Sequence, residues 1–362
     1  MLVHCSRSAS LGNYMRSVPA AVLLGLLLDR AIVLRCDRPW KDPKTRRKVL
    51  IDSQLAAYFR GAHFEPWSTV ADGRSEILLL RSECSRRDCN RVTTLGAAFA
   101  TGENLSAVGI LRVSTNTDAD VDAILASRAA SAAARRKLGG ELLRNSNLAG
   151  CLLRYVFAPS ARLVRLEAAL PNLPPLSSHG LRLAVAAHVR LGDSVFFPAA
   201  ARSAARMRSH WEWAKELQGL AYRRNPMLAM RCLQVASASA AVGCLGCAVL
   251  SDAAYVERCA TRLLDAPLLT PGVATHPLAS PAGAARSTRT IEKLVLDWWI
   301  LARSHATLLF SGNAVRIPST LALTAVRFRD AGASPSAVAT IVVADGSLNS
   351  RWREHCTLPM RL

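Results

Sequence analysis

The sequence predicts an α/β protein of two domains, and three observations support this. The chain has 362 residues, which is long for one compact domain and sufficient for two domains with separate cores. Strand-like and helix-like segments alternate through both halves, as they do where helices cover a sheet. Residues 171–180 are rich in Pro, Ser and Gly and separate the two halves. We therefore predict one domain over residues 1–178 and a second over residues 179–362.

The first half begins with a loop and a helix over residues 10–29, in which Pro19 fits an early helical position. A β-branched run at residues 31–35 then predicts a short buried strand. The other elements predicted in this half are strands at 77–80 and 108–113 and helices at 118–137 and 140–156. The first recognisable element thus lies about ten residues after Met1, and the half forms an α/β layer.

The second half alternates more regularly, which predicts a parallel sheet with helices on both faces. Its predicted strands are residues 181–189, 247–250, 306–310 and 340–344. Its predicted helices are residues 211–223, 227–241, 253–264, 290–304 and 318–326.

The charge of the chain favours anionic partners, because the formal net charge is +20. Arg supplies 40 of the 46 basic residues and is spread along the whole chain without a continuous basic tract. Aromatic residues make up 6% of the chain, which is few for a surface that stacks on bases. We therefore predict an anionic substrate and no nucleic-acid partner.

The ten cysteines predict neither a disulfide scaffold nor a metal site. Cys84 and Cys89 bracket a short polar loop and could close a small ring. Cys244 and Cys247 have the spacing of half a zinc site, but no second pair at zinc spacing accompanies them. Buried free thiols are the favoured interpretation.

The apolar stretch at residues 18–28 does not predict a membrane span, since a span needs about 20 residues. The same stretch lacks the charged start and the small-residue cleavage site of a signal peptide. The sequence therefore indicates either a cytosolic protein or one whose targeting segment lies upstream, and it predicts membrane association only in the second case.

The segment from His188 to Asp193 is the strongest candidate for chemistry. It follows a predicted strand, and ligands of open α/β sheets bind at the carboxyl ends of strands. There Arg190 could bind a diphosphate through two parallel charge-assisted hydrogen bonds and stabilise a diphosphate leaving group. The alternative is a surface loop in which Arg190 and Asp193 only pair with each other.

Later strand ends add further candidates. Ser251 and Asp252 end one predicted strand, where they could bind a base or a ribose, or simply cap the next helix. Ser319 and Thr320 open another helix, whose free N–H groups suit a phosphate. The helix before the third strand carries Asp297 and a Trp298–Trp299 pair that favours core packing over a stacking platform.

These segments resemble, in order, the motifs of the GDP-fucose-dependent fucosyltransferase superfamily that includes α1,2-, α1,6- and protein O-fucosyltransferases. Residues 188–193 resemble its H-x-R-x-G-D motif, and Ser251–Asp252 looks like the second motif. Asp297 with Ser319–Thr320 looks like the third motif, and residues 11–16 resemble the G-x-G-N opening segment. The resemblance covers residues 10–345, although only the motifs match well.

The resemblance implies a GT-B-like fold, with two Rossmann-like domains whose parallel sheets face a cleft, and a GDP-fucose donor bound by the second domain. Such enzymes transfer fucose to a glycan or protein hydroxyl with inversion, and they need neither metal nor cofactor. By motif position Arg190 would be catalytic and would bind the β-phosphate. The other implied donor-binding residues are Gly12, Asn13, His188, Asp193, Ser251, Asp252, Asp297, Ser319 and Thr320. The family works in the secretory pathway, in the Golgi or endoplasmic reticulum.

The chain also departs from the family pattern. Leu191 stands where several members have a second Arg, Ala9–Ser10 replaces a Gly, and residues 313–317 lengthen the third motif. Glu65 and Asp193 are candidates for the general base by residue type alone. A nucleotide-sugar-binding protein without activity is therefore the second hypothesis, ahead of a basic nucleic-acid-binding protein.

Overall fold

The structure is a computed structural model, and all structural statements refer to the residues that it describes. These are residues 2–4, 11–34, 40–41, 48–49, 55–62, 77–81, 110–114, 119–140, 143, 147–177, 180–190, 230–231, 233–234, 246–251, 254–272, 288–311, 319–333 and 338–344. Several residues named above lie outside them: Glu65, Cys84, Cys89, Leu191, Asp193, Cys244, Asp252, residues 9–10 and 313–317 and the predicted helix at 211–223.

The chain divides into two compact units, Met1–Val164 and Arg165–Leu362. The segment at residues 171–180 that is rich in Pro, Ser and Gly lies just after this division. Each unit contains a sheet of four parallel strands. The predicted α/β class with parallel sheets is therefore confirmed.

The first sheet has the strand order β2-β1-β7-β6. The elements as far as the unit boundary are β1 (Leu2–His4), α1 (Leu11–Leu27), β2 (Ile32–Val33), β3 (Trp40–Lys41), β4 (Lys48–Val49), β5 (Phe59–Arg60), β6 (Ile77–Arg81), β7 (Ile110–Ser114), α2 (Ala119–Ala126), α3 (Arg128–Leu138), α4 (Leu148–Val156), β8 (Ala158–Pro159) and α5 (Ala161–Ala168). Short antiparallel pairs join β3 to β4 and β5 to β8.

Two details of the first half differ from the sequence prediction. Its first element is β1, which pairs with both β2 and β7, so placing the first element ten residues after Met1 was wrong. A strand of three residues shows no periodicity, and for this reason the sequence did not reveal it. The predicted helix at 118–137 is two helices, α2 and α3, because Ser127 has extended backbone angles.

Helix α1 packs closely against β2 at Gly25. A Cβ atom on Gly25 would collide with Cγ1 of Ile32 and would lie 2.8 Å from Cδ1 of the same residue. We expect Gly25→Ala to lower the free energy of unfolding by about 1 kcal/mol, because an overpacking cost of ~1–3 kcal/mol exceeds the helical advantage of Ala. Denaturant unfolding measures this, with Gly140→Ala as the control, since a Cβ there meets nothing within 4 Å. Equal stability of the two variants would contradict the close approach.

The second sheet has the strand order β10-β9-β11-β12. The remaining elements are β9 (Leu183–Arg190), β10 (Cys247–Ser251), α6 (Ala254–Leu263), α7 (Thr288–Leu301), β11 (Ser304–Ser311), α8 (Thr320–Asp330) and β12 (Ala339–Ala344). All four predicted strands of this half are confirmed. Of the predicted helix at 227–241, the residues that the structure describes are helical, and Met230 and Leu233 among them are buried.

One face of the second sheet forms an apolar core. Val185, Ala187 and Val189 of β9 pack there with Val249, Leu308 and Phe310 of the neighbouring strands and with Val256 and Ala260 of α6. Alternate residues of each strand face this core, as the two-residue period of a strand requires. Cys247 belongs to the same cluster and is buried, as the sequence predicted for its cysteines, whereas Cys151 and Cys259 are only partly buried.

Candidate functional site

The carboxyl ends of the strands in the second sheet meet at one edge. In the register of the sheet, Ser251 of β10 pairs with Val189, Arg190 of β9 pairs with Ser311, and Ser311 of β11 pairs with Ala344. Polar residues therefore end three neighbouring strands at the same level. This edge is where open α/β sheets bind ligands.

The first motif lies on β9 and at its end. His188 is buried in the sheet, and its Cα pairs with those of Leu250 and Leu309 on the two flanking strands. Arg190 is the last residue of β9, so its backbone lies at the carboxyl edge. The sequence placed this motif at a strand end correctly, whereas Asp193 lies outside the described residues.

The second motif supplies a hydrogen bond between two strand ends. The hydroxyl of Ser251 is buried and donates to the carbonyl of Val189 at 2.7 Å. This bond joins the last residue of β10 to the residue of β9 that immediately precedes Arg190. Ser251 thus fixes the position of the backbone at the edge.

The third motif includes the start of α8. Ser319 is the N-cap of α8, with φ −56° and ψ 130°, but its side chain makes no capping hydrogen bond. The first turn of α8 contains no acidic residue. Among the described residues, the N-terminal N–H groups of α8 thus have neither a hydroxyl cap from Ser319 nor an acidic side chain in the first turn, which makes them suited to an anion.

The direction of α8 follows from Arg329 in its last turn. Nη1 of Arg329 donates to the carbonyl of Ser304 at 3.3 Å and to Oγ1 of Thr307 at 2.5 Å, both near the beginning of β11. Because α8 connects the parallel strands β11 and β12, it runs antiparallel to them. Its N-terminus with Ser319 and Thr320 therefore lies toward the carboxyl edge.

Asp297 lies on α7 inside a buried polar cluster. Nζ of Lys293 is 2.7 Å from Oε1 of Glu257, 3.4 Å from Oδ1 of Asp297 and 2.7 Å from Oγ1 of Thr270. The Thr270 hydroxyl also donates to Oδ1 of Asp297. We call these four residues the Lys293 cluster.

Burial and charge act in opposite directions on the Lys293 cluster. Burial raises the pKa of the Asp297 carboxyl and that of the Glu257 carboxyl, although Lys293 opposes both shifts. Burial would lower the pKa of Lys293, but Asp297 and Glu257 together outweigh it and raise the pKa. The ammonium group therefore stays protonated at neutral pH.

Sequence reasoning found Asp297 and missed Lys293, Glu257 and Thr270. The spacing of four residues between Lys293 and Asp297 on a predicted helix was a usable signal, because such residues lie on one helix face. Glu257 and Thr270 carried no comparable signal, since their approach to Lys293 depends on the path of the chain around β10.

The candidates of the first unit lie at the start of α1. Gly12 is buried in the first turn of α1 and Asn13 is partly buried beside it. The phenolic hydroxyl of Tyr14 donates to the carbonyl of Leu34, just after β2, at 2.7 Å. The first turn of α1 therefore lies near the carboxyl end of β2, and so toward the carboxyl edge of the first sheet.

The described residues contain neither a group of potential metal ligands nor a helix that could span a membrane. Among them, no group of three or more His, Cys, Asp or Glu side chains could hold a metal ion. Within the same residues, every helix is too short or too polar to cross a bilayer.

Two solved structures are similar to the chain over most of its length. One is a mutant of Arabidopsis thaliana FUT1 in complex with GDP, with 11% identity and a TM-score of 0.47, covering 91% of this chain and 68% of that one. The other is NodZ alpha-1,6-fucosyltransferase soaked with GDP-fucose, with 13% identity and a TM-score of 0.48, covering 90% of this chain and 92% of that one. No protein-family model and no curated protein matches the chain. A likeness at this level assigns no function to the chain.

Proposed function

We propose that the chain binds GDP-fucose at the carboxyl edge of the second sheet and transfers fucose to a hydroxyl group of a glycan or protein. One observation carries this proposal: the register of β9, β10 and β11 brings Arg190, Ser251 and Ser311 to the same edge. The choice of GDP-fucose as donor comes from the resemblance of residues 188–193 to the fucosyltransferase motif.

The diphosphate would be bound by two kinds of positive group. The Arg190 guanidinium can form two parallel charge-assisted hydrogen bonds to phosphate oxygens, and its charge is permanent at any physiological pH. The N-terminus of α8 at Ser319 and Thr320 offers backbone N–H groups and the positive end of the helix dipole. Together these groups favour a dianionic diphosphate.

The reaction would be a single displacement. The acceptor oxygen forms a bond to the anomeric carbon and gives its proton to a general base, for which Glu65 and Asp193 are the candidates by residue type. The bond from that carbon to the diphosphate oxygen breaks at the same time, its electron pair stays on GDP, and the configuration is inverted. Negative charge then develops on the departing GDP, and Arg190 would stabilise it more in the transition state than in the ground state. Because Arg190 and the α8 N-terminus can carry this charge, the mechanism we propose uses no metal.

The nucleoside half of the donor would be contacted by the motif residues of β9, β10 and α7. His188 would line its pocket, and Asp252 would accept hydrogen bonds from the base or ribose. Asp297 would orient these contacts from within the Lys293 cluster, since its carboxylate is buried and bonded to Thr270 and Lys293.

Calorimetry with GDP-fucose on the full chain tests the donor site. We expect Arg190→Ala to weaken binding at least ~20-fold, because losing a bidentate charge-assisted contact costs about 2 kcal/mol or more. Arg262→Ala is the matched control: it removes the same charge from an exposed residue in the last turn of α6. GDP-mannose and UDP-galactose report selectivity.

The possible outcomes separate the hypotheses. Selective binding of GDP-fucose that is lost in Arg190→Ala and kept in Arg262→Ala supports the site. Equal losses of GDP-fucose affinity in both variants would show that the effect comes from net charge alone. If the intact chain bound no nucleotide sugar, the proposal would be overturned. Binding without release of GDP in an acceptor screen would favour the inactive nucleotide-sugar-binding protein.

A further inference from the structure

Lys293 connects three separate parts of the second unit. It lies on α7 with 1% of its surface exposed. Its ammonium group contacts Glu257 in the first turn of α6, Asp297 one turn along α7, and both the hydroxyl and the carbonyl of Thr270. One cation therefore joins α6, α7 and the segment that follows α6.

The Lys293 cluster lies beneath the carboxyl edge of the sheet. After α6 the chain returns to the beginning of β10, where the N–H of Leu268 donates to the carbonyl of Cys247 at 2.9 Å. Helix α6 therefore runs antiparallel to β10, and its first turn with Glu257 lies at the carboxyl end. From Leu268 the chain runs parallel to β10, as its bridge to Ala248 shows. Thr270, two residues further, thus also lies toward that end.

The net energy of such a cluster does not explain its presence. Three charged groups lose most of their hydration when they are buried, and their mutual attraction only roughly offsets that loss. An apolar cluster of the same volume is commonly as stable. Buried charged groups do, however, accept only a few geometries, because each ion must keep its partner.

We propose that Lys293 is a positioning residue of the candidate donor site: through Glu257 it holds the first turn of α6 against α7, beside the end of β10 where Ser251 lies. This inference rests on the proposed function, since it makes the Lys293 cluster a support for nucleotide binding. Lys293 touches no substrate in this proposal, and it acts through the position of the first turn of α6.

The chain provides a matched control in Arg329. This residue is also 1% exposed, and it also joins neighbouring elements, by donating to Thr307 of β11 and to Thr340 of β12. Its partners lie at the beginning of the strands, away from the carboxyl edge. Replacing either cation with Met removes one buried charge and keeps a long apolar side chain, so the two variants differ mainly in which end of the sheet is affected.

Two measurements on the full chain test the inference. Hydrogen exchange reports whether the first turn of α6 is held, and calorimetry with GDP reports whether the site depends on it. We expect Lys293→Met to speed exchange of the amides at residues 254–260 and to raise the Kd for GDP about tenfold, the size found when supporting residues of metal sites are removed. We expect Arg329→Met to leave both unchanged and to speed exchange at residues 339–344.

Each outcome decides a separate point. Unchanged exchange at residues 254–260 in Lys293→Met would overturn the positioning role, whether or not GDP binds. Faster exchange there with an unchanged Kd for GDP would overturn its link to the site. Failure of the unaltered chain to bind GDP would overturn the proposed function. The exchange result would still decide whether Lys293 holds the first turn of α6. If Lys293→Met does not fold, Glu257→Gln tests the same link, because it keeps the size of the side chain and removes the charge of the α6 partner.

Discussion

Replacing Glu167 with alanine is expected to lower the free energy of unfolding of the second unit by about 3 kcal/mol. The carboxylate of Glu167 is 3% exposed and lies 2.8 Å from Nε of Arg182 and 3.3 Å from Nε of Arg303. It also accepts a hydrogen bond from Nε1 of Trp299 at 3.0 Å. Its removal would leave Nε of Arg182 and the indole N–H of Trp299 without this acceptor and Arg303 without this counter-charge. Breaking a buried ion pair from one side costs ~3–5 kcal/mol.

We place the expected loss at the lower end of that range for a structural reason. The side chains of Arg182 and Arg303 are 21% and 17% exposed, so both guanidinium groups can recover some hydration. Arg182 also keeps its bond to the carbonyl of Pro174, and Arg303 keeps its contact with the Trp299 ring at 5.1 Å.

Denaturant unfolding of the full chain measures the effect. Glu167→Gln should lose less than Glu167→Ala, because the amide oxygen can still accept from Trp299. Asp265→Ala removes the same charge from an exposed position of the second unit and should change stability by less than ~0.5 kcal/mol. A loss no larger for Glu167→Ala than for Asp265→Ala would contradict the role of this buried carboxylate.

The strands of the second sheet could be predicted from the sequence because each is a continuous apolar run. Cys247–Leu250 and Ala306–Phe310 are buried on both faces, and every one of these residues except Thr307 is apolar. The predicted ends differed from the observed ends by only one or two residues. The ends of these predicted strands then indicated Arg190 and Ser251, because each of these residues comes directly after an apolar run.

The residues that the sequence did not reveal are those whose partners are distant along the chain. Glu167 accepts a hydrogen bond from Trp299, and Nζ of Lys293 lies 2.7 Å from Oε1 of Glu257, yet nothing in the local sequence pattern indicates either of these two pairings. Such contacts are set by the order of strands in the sheet, which places the end of α7 beside the last turn of α5. A single sequence predicts that a sheet forms, and it does not predict which buried charges meet around it.

β1 shows a different limit. Leu2–His4 is too short to give a periodic signal, and its status as a strand comes from hydrogen bonding to β2 and β7 on both sides. Tertiary pairing therefore makes this strand, and local propensity contributes little.

Trp298 gives the second large expected effect, because the Trp pair of α7 forms core packing, as the sequence favoured. Its ring is 0% exposed, lies 4.9 Å from the ring of Phe328 in an edge-on arrangement, and lies 6.5 Å from the ring of Trp299. Nε1 donates to the hydroxyl of Thr324 on α8 at 3.1 Å. We expect Trp298→Ala to lower the free energy of unfolding by about 3–5 kcal/mol, since it leaves a large cavity between α7 and α8.

Two further variants divide that loss into packing and hydrogen bonding. Trp298→Phe keeps most of the apolar contact with Phe328 and removes the N–H, so it should lose clearly less stability than the alanine variant. Thr324→Val removes the acceptor and keeps the indole, and it should cost about 1–3 kcal/mol because it leaves a buried N–H without that partner. Thermal unfolding of the three variants measures these differences. If Trp298→Ala lost no more stability than Thr324→Val, the packing of α7 on α8 would not depend on this ring.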